Sequence, residues 1–92
     1  MMKSITIDCS KVKNENDFHE VFATLDITPN YYGKNLNALW DVLTTDIEGP
    51  VMFMFENHKE FELANTSDYE KIISLFKEAQ SERPTELSIN LS

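Results

Sequence analysis

Asp41 is the side chain in this sequence best placed to act on another molecule. It falls on a predicted helix between Asn37 and Thr44, one helical turn from each and on the same face, with Thr45 next in line. A carboxylate on a rigid element pairs strongly with a guanidinium or ammonium group, and flanking amides and hydroxyls add directed hydrogen bonds. Tyr31 and Tyr32 stand just upstream, so the stretch joins an acid, polar side chains and aromatic rings. Except for the absence of Arg, that is the composition of a protein-recognition hot spot. The chemistry implied is noncovalent.

Catalysis has less support. Gly33 and Gly49 are the only glycines, which rules out a G-x-S-x-G elbow, a P-loop or a dinucleotide fingerprint. His19 lies on a predicted amphipathic helix and His58 at a turn, and each reads as a solvated or hydrogen-bonded side chain. Cys9, the one cysteine, has no second Cys or suitably spaced His for a metal, and Met52 and Met54 read as core filler. No cofactor or metal is expected. Asp41 and Glu78 could serve as acid and base of a small hydrolase only if the fold brought them to one cleft, and their spacing in sequence does not establish that.

The elements that must position these groups follow from periodicity and caps. Lys3 to Asp8 alternates as a strand. Asn14 or Asn16 can cap a helix carrying Phe18, Val21, Phe22 and Leu25, which ends before Pro29. Asn35 is the expected N-cap within a Tyr31 to Thr45 helical segment, where Leu36, Leu39, Trp40 and Leu43 form an apolar stripe roughly 100° wide. Gly49 and Pro50 break the chain before Val51 to Phe55, an apolar run expected to be a central strand buried on both sides. A short helix over His58 to Leu63 is expected with Asn57 as cap. Ser67 and Glu70 predict a capping box for a last helix whose inward face is Tyr69, Ile72, Ile73, Phe76 and Ala79, stopped by Pro84. Leu87, Ile89 and Leu91 close the sheet. Strands separated by helices predict an α/β fold, a three-stranded parallel sheet packed by about four helices.

Ninety-two residues allow a single domain, 1–92, with no linker or repeat. The net charge of −8 disfavours direct nucleic-acid or anionic-membrane binding and favours a basic protein as partner, with solubility as the plain alternative. A lone cysteine, no signal peptide and no apolar stretch of membrane-spanning length predict a soluble cytoplasmic protein, expected to be a monomer when free.

The run YYGKNLNALWDVLT resembles the signature of the barstar family, small intracellular inhibitors of bacterial ribonucleases. Weaker matches extend through Glu48-Gly49-Pro50, FKEAQSE and the Ile-Asn-Leu-Ser ending, so the resemblance covers nearly the whole chain. It implies a small parallel sheet packed by helices and an inhibitor, not an enzyme, whose helix and preceding loop enter a ribonuclease active site. There Asp41 would be the central anchor, imitating an RNA phosphate. Asn35, Asn37, Thr44 and Thr45 would add hydrogen bonds, Tyr31 and Trp40 rigid contact area, Gly33 close backbone approach, and Glu78 a second acidic contact. Asn37 stands where the best-known member has an acid, and Asp46 where it has an aromatic. An acidic binding module of the same fold with a non-nuclease partner is the alternative reading.

Overall fold

The computed structural model describes residues 2–91; Met1 and Ser92, the last residue of the Ile-Asn-Leu-Ser ending, lie outside the described residues. The elements run β1 (Lys3–Asp8), α1 (Glu15–Ala23), α2 (Leu36–Asp41), a π-helical turn (Val42–Asp46), β2 (Val51–Glu56), α3 (His58–Ala64), α4 (Thr66–Glu82) and β3 (Leu87–Leu91). The three strands pair in parallel in the order β1-β2-β3, with Ile5, Phe53 and Ile89 in register across the middle. The expected three-stranded parallel α/β fold is what forms, with the Val51 to Phe55 run at its centre.

That run is covered on one side rather than two. Val51, Phe53 and Phe55 are buried, whereas Met52 and Met54 are only half-buried on the face they share with exposed Ser4, Thr6 and Asn90. The helices leave that face without a layer of its own, and the long thioether side chains shelter themselves. On the covered face, Phe76 of α4 meets Phe53 and Phe55 edge-on at 5.3 and 4.9 Å, and Phe18 and Phe22 of α1 complete the aromatic core. Cys9 is fully buried there, and burial pushes its thiol pKa up to about 12, as befits a packing residue.

Helix starts follow side-chain acceptors. Asn14 caps α1 by accepting the Asp17 N–H, and Asn35 caps α2 by accepting the Ala38 N–H, both at 2.8 Å. α4 starts differently from the predicted box: Asn65 is its cap, accepting the Asp68 N–H at 3.0 Å. Its expected inward face, Tyr69 to Ala79, is buried throughout. Asn57 precedes α3 as expected but makes no side-chain cap bond; its backbone is left-handed, at φ 59°, and its amide donates to Asp8.

Candidate functional site

The α2 segment begins one residue after Asn35, and the Tyr31 to Asn35 stretch is a turn leading into it rather than its first helical turn. Lys34 takes a left-handed backbone, φ 56°, while Gly33 does not. A Cβ at Gly33 would meet Ala38 at an ordinary 3.4 Å, so the fold itself does not demand glycine there. The turn is tied down from several directions. Lys34 pairs with Glu20 of α1 at 3.1 Å, the Tyr32 N–H donates to the Pro29 carbonyl, and the buried Thr28 hydroxyl donates to the Phe22 carbonyl at 2.7 Å.

At its other end α2 widens into the π turn, where the Ile47 N–H reaches the Val42 carbonyl at 3.0 Å. Two side chains occupy neighbouring carbonyls: Thr44 Oγ1 donates to Trp40 at 2.8 Å, and Arg83 Nη1, from the end of α4, donates to Leu43 at 2.8 Å. Arg83 thereby ties the π turn to the end of α4. Nothing in the local pattern around Arg83 signals this, because its partner lies forty residues away in sequence.

The candidate residues divide between two flanks of α2. On the loop side, Tyr31, Gly33, Asp41 and Asp46 line a cleft of about 230 Å³. Tyr31 is 77% exposed, and its hydroxyl donates to Asp46 at 3.3 Å, so the Asp46 charge is the first cause raising the phenol's pKa. On the α4 side, Leu36, Asn37, Trp40, Lys71, Leu75 and Glu78 line a groove of about 340 Å³. Asp41 and Glu78 therefore face different clefts, which removes the geometric basis for an acid and base pair. Trp40 is half-buried and does both jobs, packing on the core and lining the groove. Asn35 is exposed, with its oxygen on the Ala38 N–H and its amide on the Gly33 carbonyl. Thr45 is exposed on the π turn and Thr44 half-buried.

Among the described residues the carboxylates of Asp41 and Glu78 have no hydrogen-bond or ion-pair partner, and no group of three or more His, Cys, Asp or Glu could hold a metal ion. What the local pattern did not reveal lies beneath the loop: buried His19 bonds both Tyr32 and Glu15, so the histidine is a structural link between α1 and the turn.

The model of the Barstar family, described as "Barstar (barnase inhibitor)", matches residues 2–92. This chain belongs to the barstar family. It is also 34% identical over 91 residues, 96% of this chain and 97% of the other, to the Bacillus subtilis (strain 168) protein named "Putative ribonuclease inhibitor YrdF". Family membership accords with the three-stranded parallel barstar-like sheet and with the near-complete span of the sequence resemblance. Among the described residues no helix is long and apolar enough to cross a membrane.

Proposed function

We propose that this barstar-family protein is a ribonuclease inhibitor, not an enzyme, that binds a basic bacterial ribonuclease or related toxin domain one to one and covers its active site. Membership of a family described by barnase inhibition supports the general role. The observation that carries the finer reading is the free Asp41 carboxylate, which projects from a capped helix into a cleft beside Tyr31. A site built to hold RNA phosphates presents basic side chains, and a carboxylate in fixed position fills such a site as a phosphate does. Tyr31 and Trp40 supply contact area that loses little rotamer freedom, and Gly33 leaves the turn's surface bare for close approach. Asn35, Thr44 and Thr45 offer hydrogen bonds beside the anchor, and Asn37 and Glu78 add a polar and an acidic contact from the second flank. The net charge of −8 draws a basic partner in from a distance.

Titration calorimetry with barnase tests this. A one-to-one complex that suppresses RNA cleavage is expected, and a mixture in which barnase keeps its full activity at excess of this protein overturns the assignment for that ribonuclease.

A further inference from the structure

His19 is only 2% exposed, yet both of its ring nitrogens have partners: Nε2 meets the Glu15 carboxylate at 2.9 Å and Nδ1 meets the Tyr32 hydroxyl at 2.5 Å. Burial, and then the Glu15 charge, push the Tyr32 phenol far above its ordinary range, so Tyr32 keeps its proton. The Glu15 carboxylate accepts, so Nε2 carries a proton toward it, and in the neutral ring Nδ1 then accepts from the Tyr32 hydroxyl. Separately, the Glu15 backbone N–H donates to Asp68 Oδ2 of α4 at 2.8 Å and holds the start of α1 against α4. Side-chain hydrogen bonds thus run from Glu15 on α1 through His19 to Tyr32, the residue between Tyr31 and Gly33.

Ring packing alone would not set that residue's direction. Tyr32 lies against Phe22 and His19 with ring centroids 5.2 and 5.8 Å apart, and such contacts tolerate sliding and tilting. The hydroxyl bond does not. It acts next to Lys34, whose left-handed backbone is unfavourable for any residue bearing a Cβ and needs its surroundings to hold it. The turn that presents Tyr31, Gly33 and Asn35 is thus kept in one shape from below.

We propose that Glu15, His19 and Tyr32 form a buried positioning chain that pre-organises the Tyr31 to Asn35 turn for its protein partner, lowering the ordering cost of binding without acting through direct contact. The claim about the partner rests on the inhibitor reading above; the claim about the turn does not. Pre-organisation of this kind shows chiefly in how long a complex lasts, because the unsupported turn leaves the partner more readily.

The test uses the full chain as Tyr32→Phe, His19→Phe and the double variant, together with Glu15→Gln and Glu15→Ala. Replacing both members of a buried hydrogen bond by apolar rings of similar shape restores stability that either single change removes. The double variant should therefore unfold near the wild-type midpoint. Its Tyr32 and Ala38 amides should nevertheless exchange with solvent about tenfold faster than in the wild type, with Phe53 in the sheet unchanged. Its complex with barnase should dissociate about tenfold faster. Glu15→Gln keeps an acceptor for Nε2–H and should behave as wild type, whereas Glu15→Ala should loosen the turn. If the double variant recovers wild-type exchange in the turn along with its stability, the chain merely satisfies buried polar atoms and the proposal is overturned. Failure of the wild type to bind barnase would count against the inhibitor reading for that ribonuclease, while the exchange rates would still decide the positioning role.

Discussion

Around the starts of α1, α3 and α4, Asp8, Asp17 and Asp68 are committed to the fold. Asp8 accepts from the Ser10 N–H and from Asn57, Asp17 from the Lys13 N–H, and Asp68 from the Glu15 N–H and the Asn65 amide. Along α2 and the facing side of α4 the acids are left over, for Asp41 and Glu78 have no partner among the described residues. The difference follows from the supply of unpaired backbone donors. A helix start and a tight turn each leave N–H groups that need acceptors, and nearby acids provide them. All three of α1, α2 and α4 have a neutral Asn cap, but α2 alone has no acid in its first turn, and Asp41 stands at the far end of the helix with no such donor to satisfy. One net charge thus contains acids that hold the molecule together and acids available to another molecule.

Exchanging the two kinds of acid for alanine is the most direct way to break that comparison. Asp41→Ala should weaken barnase binding by at least about 2 to 5 kcal/mol, the range for removing one partner of a desolvated charge pair, and leave the unfolding midpoint unchanged. That range draws on the barnase and barstar complex, a relative of this protein, and its size is inherited from there. Calorimetric titration beside thermal unfolding measures both quantities, and a loss in binding below about 1 kcal/mol would place Asp41 outside the hot spot.

Asp68→Ala should show the reverse. The Glu15 N–H loses its acceptor in a half-buried setting, so stability should fall by about 1 to 3 kcal/mol in urea unfolding, while the folded fraction binds barnase as before. A drop in affinity with unchanged stability would put Asp68 in the wrong class.

Glu78 sharpens the comparison within the free acids. It is exposed on the margin of its groove, so Glu78→Gln should cost about 1 kcal/mol or less and act mainly by slowing association and flattening its dependence on salt. Stopped-flow mixing at several ionic strengths separates this from Asp41→Ala, which should act mainly on dissociation.

The smallest effect concerns pH. The Ser10 N–H, and then the Asn57 amide, hold the Asp8 pKa below its ordinary 3.8. A carboxyl whose folded value is depressed stabilises the fold above its unfolded value and loses that contribution as pH falls through the folded one. Asp8→Asn should therefore unfold with a slightly shallower dependence on acid, and an Asp8 resonance titrating at or above the unfolded value would show that these hydrogen bonds do not favour the charged form.

Much of this design was legible in short stretches. The Asn35 cap, the choice of Asn14 or Asn16 for α1, the inward face of α4 and the central place of Val51 to Phe55 all rest on contacts within a few residues or on simple alternation. Where two local acceptors competed, the pattern was insufficient: Ser67 and Glu70 made a plausible box, but Asn65 caps α4 because α3 ends directly against it and its side chain reaches the Asp68 N–H. The apolar run of β2 predicted burial on both faces, yet a run of that kind does not say how many layers of helix will arrive.

By itself the sequence determined the order of the elements, the parallel sheet, the presence of Asp41 on a capped helix and the family resemblance, because these depend on caps, periodicity and a contiguous motif. Only the tertiary structure decided that Asp41 and Glu78 face opposite flanks of α2, that Arg83 closes on the Leu43 carbonyl, and that His19 joins Glu15 to Tyr32 beneath the turn. The flank a side chain faces depends on how whole helices pack, and a hydrogen bond between distant residues exists only after that packing has brought donor and acceptor within about 3 Å, a distance to which the linear pattern carries no clue.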